Sequence, residues 1–304
     1  MLFITSVFFF FILGAFAGSP ELEKVEFMET ETNTIELGAF DGLVKLKSVE
    51  ISTNPLRSVP VGFWFSKLKN LAAIRLYENQ LTTIPEDLFM ELPNLEEISL
   101  QGNRISALSP NLFPHKGKLI KLILDSNLLT SLPEEYFVGF PKVKLLTLRN
   151  NQLTSLPPVL FGEMPKLTEL SLQQNNLTNN DLQTLSGDVF DSLTKLKKLD
   201  LSNNPWQCDC NLIDFYHWIK TNADKLTPKV HCEYPEHLKG QEITLLNEDQ
   251  LVCPTLPPTT TTLPTTIPTT VQTTKPTTTL TTTTLDACKA PWGSNIFCCF
   301  YSPM

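Results

Sequence analysis

Between residues 22 and 204 the apolar positions fall into one repeating phrase, L-x-x-L-x-L-x-x-N-x-L. Leu71, Ile74, Leu76, Asn79 and Leu81 form one copy, and Leu119, Leu122, Leu124, Asn127 and Leu129 form another. Further copies start at Leu46 (with Val49 and Ile51), Leu95, Val143, Leu167 and Leu196. A degenerate copy precedes them at Leu22, Val25 and Phe27, with Thr30 in the Asn position. The asparagines recur at 54, 79, 103, 127, 151, 175 and 204, at intervals of 25, 24, 24, 24, 24 and 29. Phenylalanine keeps the same rhythm at 40, 65, 89, 113, 137, 161 and 190. Alternation such as Leu122 and Leu124 predicts one short strand per copy, with the leucines on its inner side. A single copy cannot bury that side, so successive copies must stack into a solenoid. Asn at each bend suits an amide that satisfies backbone groups left unpaired by the turn. The Phe column, with the turns Ile84-Pro85, Leu132-Pro133 and Leu156-Pro157, is expected along the opposite wall. These Leu, Asn and Phe positions are therefore read as structural.

This pattern, over roughly residues 22–253, resembles the extracellular leucine-rich repeat family of the 24-residue type. The resemblance implies an α/β solenoid: a curved horseshoe with a parallel β-sheet on its concave face and a cap at its C-terminal end. In that fold the residues between the strand leucines face the concavity. One column reads Glu50, Arg75, Ser99, Ile123, Thr147, Ser171 and Asp200; the next reads Ser52, Tyr77, Gln101, Asp125, Arg149, Gln173 and Ser202. Ile123 and Leu145 are expected to be exposed neighbours on adjacent strands, with Tyr77 and Arg149 nearby and Arg75 and Asp125 alongside. An apolar centre carrying a Tyr and an Arg has the composition of a protein-binding patch. The long last interval reflects an insertion at Asn179–Asp188, expected as a surface loop.

After the last copy come Asn204-Pro205-Trp206-Gln207-Cys208-Asp209-Cys210, then Cys232 and Cys253. Four cysteines allow three pairings. A Cys-x-Cys pair also suits zinc, with Cys208, Cys210, Cys232 and either His231 or His217 as ligands. The segment resembles the cysteine-rich C-terminal flanking domain of extracellular leucine-rich repeat proteins, and that resemblance implies Cys208–Cys232 and Cys210–Cys253. Leu212, Phe215, Tyr216, Trp218 and Ile219 are spaced for a helix within Asn211–Asn222. Trp206 and Trp218 are expected to plug the end of the core. The stretch Leu238–Cys253 is similar to the flanking domain of non-catalytic subunits that accompany secreted enzymes. No cysteine precedes Cys208, so the N-terminal end departs from the family pattern of a cysteine-rich cap.

Composition, the repeat pattern and the flanking-domain resemblance together divide the 304 residues into 1–17 (signal peptide), 18–204 (repeats), 205–253 (flanking domain), 254–285 (stalk) and 286–304 (tail). Residues 2–17 carry no charge and end in Ala15-Phe16-Ala17, the small-x-small pattern that predicts export with cleavage after Ala17. Export places the cysteines where disulfides form. Residues 1–253 hold 22 basic and 31 acidic side chains, a net −9. An acidic body argues against nucleic acid, which demands a basic stripe. After residue 17 no apolar run is long enough to span a membrane. Residues 254–285 contain 18 Thr and 6 Pro, the composition of an extended, disordered, O-glycosylated stalk. Such a stalk resembles those of cell-surface members of the family, which makes a soluble form of a stalked adhesion protein or receptor the alternative to a secreted binder. The tail holds Cys288, Cys298 and Cys299, an odd set that leaves one thiol for a disulfide-linked oligomer. Asn176-Leu177-Thr178 is an N-glycosylation sequon. The chain shows no nucleophile elbow, phosphate loop, H-E-x-x-H or dinucleotide fingerprint. The expectation is a non-enzymatic extracellular module, without cofactor or metal, that binds a protein partner on its concave face.

Overall fold

The computed structural model describes residues 16, 18–62, 65, 67–177 and 187–253. The expectations for the rest of the leader, for most of the 179–188 insertion, for the stalk and for Cys288, Cys298 and Cys299 lie outside these residues.

Eight strands form one all-parallel sheet in chain order: β1 (Lys24–Met28), β2 (Ser48–Ser52), β3 (Ala73–Arg75), β4 (Glu97–Ser99), β5 (Lys121–Ile123), β6 (Leu145–Thr147), β7 (Glu169–Ser171) and β8 (Lys198–Asp200). The copies align in register, so Val25, Val49, Ile74, Ile98, Leu122, Leu146, Leu170 and Leu199 run as one row across the sheet. All eight are buried, as is the following apolar position of each turn, from Phe27 to Leu201. The degenerate first copy is thus a full turn, and its strand is among the longest.

The asparagine ladder closes each turn onto its neighbours. Asn103 donates through Nδ2 to the carbonyls of Leu76 (2.8 Å) and Leu100 (2.9 Å), while its Oδ1 accepts from Leu81 N–H at 3.0 Å. Asn127, Asn151 and Asn175 repeat this arrangement one turn apart. At the first turn Thr30 replaces Asn, and Asn54 Oδ1 accepts from the Thr30 N–H, the Thr30 hydroxyl and the Thr32 N–H at 2.9–3.1 Å. Asn79, after the 25-residue interval, has a buried Oδ1 without a hydrogen-bond partner. The residue before each ladder Asn is left-handed: Thr53, Glu78, Gly102, Ser126, Asn150, Gln174 and Asn203 all have φ between 50° and 67°. That conformation costs most at Thr53, whose β-branch crowds the backbone.

Opposite the sheet the phenylalanines form a column: Phe89 stacks on Phe113 at 5.9 Å and Phe137 on Phe161 at 5.7 Å, while Phe40 meets Phe65 tilted at 5.8 Å. Phe16 extends this column, lying 6.0 Å from Phe40 and 6.1 Å from Phe27 with only 7% of its surface exposed.

At the other end, Phe190 passes the column to the flank, meeting Phe215 at 6.5 Å and Trp218 at 5.2 Å. A 3₁₀ turn (Cys210–Leu212), capped by the Asp209 carboxylate on Asn211 N–H, leads into α1 (Ile213–Thr221). Helix α1 buries Phe215, Tyr216 and Ile219 against the last turn. Trp206 is fully buried and donates from Nε1 to the Leu201 carbonyl at 3.1 Å. Trp218 is half-buried: it covers the end from outside, its Nε1 donating to Asp191 at 2.8 Å. Disulfides join Cys208 to Cys232 (Cα–Cα 5.8 Å) and Cys210 to Cys253 (Cα–Cα 4.9 Å). All four sulfurs are consumed, which leaves no thiolate in the flank for zinc.

Candidate functional site: the concave sheet face

Strand parity fixes which side chains reach the concavity. Once the leucine row faces inward, the residues on either side of it face out. Arg75, Tyr77, Ile123, Asp125, Leu145 and Arg149 all lie on strands β3, β5 and β6 or in the two residues after them. Short strands pinned on both sides hold such groups more firmly than loops do.

The structure divides these six residues into two groups. The first surrounds Glu50, a carboxylate with 7% of its surface exposed. Tyr77 donates its hydroxyl to Glu50 Oε1 at 2.6 Å, and Ser52 Oγ donates to the same oxygen at 3.3 Å. Arg75 sends Nε and Nη2 to the two oxygens of Glu97, each at 2.8 Å, and its Nη1 donates to Ser48 Oγ at 3.2 Å. The same Nη1 stands 3.8 Å from Glu50 Oε2. The bidentate Glu97 pair raises the Arg75 pKa above its usual value, against the opposing effect of burial. Burial, then the Glu50 contact, raises that of Tyr77. Glu50, Arg75, Tyr77 and Glu97 line one open concavity together with Glu78, Ser99, Gln101 and Ile123.

The second group is Asp125 with Arg149. Asp125 Oδ1 accepts from the Arg149 backbone N–H at 2.8 Å, and the Arg149 Nε lies 3.9 Å from Oδ2. Burial raises the Asp125 pKa, and the Arg149 contact opposes it. The Arg149 side chain is exposed and keeps most of its donors for a partner.

Two expectations are corrected. Ile123 and Leu145 are half-buried, so no exposed apolar centre forms between them. The inner arc of a curved sheet crowds adjacent side chains, and each shields the next. Nor do they face one another: Ile123 pairs with Ser99 and Thr147, whereas Leu145 pairs with Lys121 and Glu169. Tyr77 lines the same concavity as Ile123, while Arg149 belongs with Asp125, three strands away from Tyr77. Glu97, which orients Arg75, and Glu26, buried beside Lys24 at the edge, are the functional candidates that sequence reading leaves out. The first strand column (Lys24, Ser48, Ala73, Glu97, Lys121, Leu145, Glu169, Lys198) carries the signal for both contacts.

Residues 46–105 and 117–177 match the Leucine rich repeat family. Human carboxypeptidase N subunit 2 is 45% identical over 65 residues, which are 21% of this chain and 12% of that relative. Among solved structures, a chain of the octameric complex of Latrophilin 3, Unc5D and FLRT2 aligns with a TM-score of 0.58 and 28% identity, covering 76% of this chain and 77% of its own length. Human 5T4, or trophoblast glycoprotein, aligns with a TM-score of 0.55 over 77% of this chain and 89% of its own, at 21% identity. The matched repeats, the stacked parallel strands with their asparagine ladder and the twice-bridged flank show an array of leucine-rich repeats followed by a cysteine-bridged C-terminal flank.

Proposed function

We propose that the chain is an extracellular protein-binding module that engages its partner across the sheet face carrying Arg75, Tyr77, Ile123, Asp125, Leu145 and Arg149. One observation carries this reading: Arg75 and Tyr77 are already held by Glu97 and Glu50 at 2.6–2.8 Å, so binding costs little side-chain freedom at those positions. A pre-ordered Arg on a strand and a pre-ordered Tyr in the turn after it are residue types that dominate interface energetics. The two disulfides support an oxidising compartment. The exposed Asn176 side chain is open to N-glycosylation, and a mobility shift on glycosidase treatment tests that. To test the binding face, the secreted chain is used to capture extracellular proteins. The captured partner is then titrated with the folded triple variant Tyr77→Ala, Ile123→Ala, Arg149→Ala. Lost affinity is expected; unchanged affinity rejects the face.

A second reading rests on the identity with carboxypeptidase N subunit 2: the chain accompanies a secreted enzyme as its non-catalytic carrier. Co-purification with a metallocarboxypeptidase from the same fluid is the outcome that separates this reading from the first.

A further inference from the structure

The net negative charge of the chain conceals a row of lysines along the rim where the strands begin. In each copy that carries the column Phe, nine residues run from that Phe to the first residue of the strand. In the first three of these copies, 40–48, 65–73 and 89–97, the stretches hold four lysines and four acidic side chains. In the last four, 113–121, 137–145, 161–169 and 190–198, they hold nine lysines and three acids. The early lysines are neutralised: Lys45, Lys47, Lys67 and Lys69 meet Glu21, Glu23, Asp41 and Glu91 at 2.5–2.7 Å. The later ones are not. Lys142, Lys144, Lys166, Lys195, Lys197 and Lys198 are exposed, and among the described residues no ion pair or hydrogen bond holds their ammonium groups. Of the nearby acids, Asp191 is engaged by the Trp218 indole, and Glu169, in register with Lys198, forms no ion pair with it.

The row is regular because the turns are. Lys144 N–H donates to the Ile120 carbonyl at 2.9 Å, and Thr168 N–H to the Lys144 carbonyl and Lys197 N–H to the Thr168 carbonyl, both at 3.0 Å. Successive rim positions therefore stand one strand spacing apart, about 4.8 Å. Lys142, Lys166 and Lys195 hold equivalent places on three turns running. Like charges stacked this closely repel, and a polyanion lying along them offsets that repulsion while its own counterions are released. We infer that this rim binds a sulfated polysaccharide of the glycosaminoglycan class; the inference rests on the extracellular reading above but uses a different surface from the concave face. Three features select that partner. A line of charges suits a linear polymer better than a single ion. The stretches contain no arginine, so they offer compact point charges to sulfate esters and lack the planar fork that favours carboxylates. Their phenylalanines are all buried, so none of those rings is free to stack on a nucleobase. Lys116 stands outside the row, since its ammonium is spent on the Val138 carbonyl at 2.8 Å and on the Phe140 ring.

The test titrates the full secreted chain with a heparin oligosaccharide at about 0.15 M salt. Saturable binding that weakens steeply as salt rises is expected. The triple variant Lys142→Ala, Lys166→Ala, Lys195→Ala is expected to weaken it by about tenfold or more, with an unchanged circular dichroism spectrum. The triple variant Lys45→Ala, Lys47→Ala, Lys69→Ala removes the same charge from the paired part of the rim and is expected to leave the affinity within about twofold. Tyr77→Ala, Ile123→Ala keeps every lysine and is expected to bind heparin as the parent does even where it loses the protein partner, so the two readings fail separately. Absence of heparin binding, equal losses from the two lysine triples, or equally tight binding of hyaluronan (carboxylates without sulfates) or of polyglutamate would each overturn the proposal.

Discussion

Tyr77 donates its hydroxyl to Glu50 at 2.6 Å, tying the turn after the third strand to a carboxylate buried on the second. Burial and this contact raise the phenol's pKa in the folded state. A raised folded value means that the contribution to stability is complete below the unfolded value of about 10 and is lost as pH rises through the folded one. Tyr77→Phe is expected to cost about 1.5 kcal/mol at pH 8, the scale of a hydrogen bond to a charged group. The deficit should shrink as pH rises past about 10. Urea midpoints of both proteins across that interval measure it, and a deficit independent of pH would refute the account.

Asp125 is shifted in the same direction as Tyr77, but from a far lower starting pKa. Its folded pKa is raised by burial, so the ionised form is penalised in the fold. Its stabilising contribution is present below the unfolded value of about 3.9 and lost as pH rises through the folded one. Asp125→Asn keeps an oxygen for the Arg149 N–H and removes the buried charge. The variant is expected to melt higher than the parent at pH 7 and alike at pH 3. Calorimetry at the two pH values decides.

Asn127→Ala removes the acceptor for Ile105 N–H and the donor to the Leu100 carbonyl, both buried. Each stranded backbone group costs about 1–3 kcal/mol, so a loss of about 2–6 kcal/mol is expected. Because neighbouring turns share the rung, hydrogen exchange should accelerate on both sides of it.

Thr53 holds φ at 55° despite its β-branch. Thr53→Asn or Thr53→Gly relieves about 0.5–1 kcal/mol of strain, less the exposed bond from Thr53 to Glu78. A raised melting temperature for both variants is expected, and a drop in both would show that the Glu78 bond outweighs the strain.

Gly187 lies flat against an indole. A Cβ added there would sit 2.0 Å from Trp218 Cγ, so Gly187→Ala must move helix α1. A cost of about 1–3 kcal/mol is expected, as for other overpacked sites. A quenched or shifted Trp218 fluorescence is the accompanying signature.

What repeats was legible in the sequence. Leucine, asparagine and phenylalanine recur because every turn solves the same burial and hydrogen-bonding problem, so periodicity alone located the strands, the ladder and the aromatic column. The fit of Trp218 over Gly187 was not legible, because those residues meet across 31 positions with no pattern between them. The same holds for Phe16, whose place in the column lies inside a stretch that reads as a leader. On the concave face, parity gives the side of the sheet each residue occupies but carries no information on lateral crowding, which buries Glu50, Ser99, Thr147, Ser171 and Asp200 there. Ile123 and Leu145 therefore read as exposed when their neighbours in fact shelter them. Glu97 escaped notice because a glutamate between strand leucines looks like ordinary solvated charge until the Arg75 fork is seen closing on it.

The ladder also has a direction. Each asparagine serves the turn made before it: Asn204 accepts from Leu177 N–H and donates to the Leu172 carbonyl, just as Asn103 does for Leu81 and Leu76. As the chain emerges from its N-terminus, the newest turn is always the unfinished one, waiting for an amide some two dozen residues further on. Assembly during synthesis is thus a zipper whose open tooth travels with the growing end. A chain halted between two rungs lacks the amide its last turn needs as well as the next turn that would cover its apolar side.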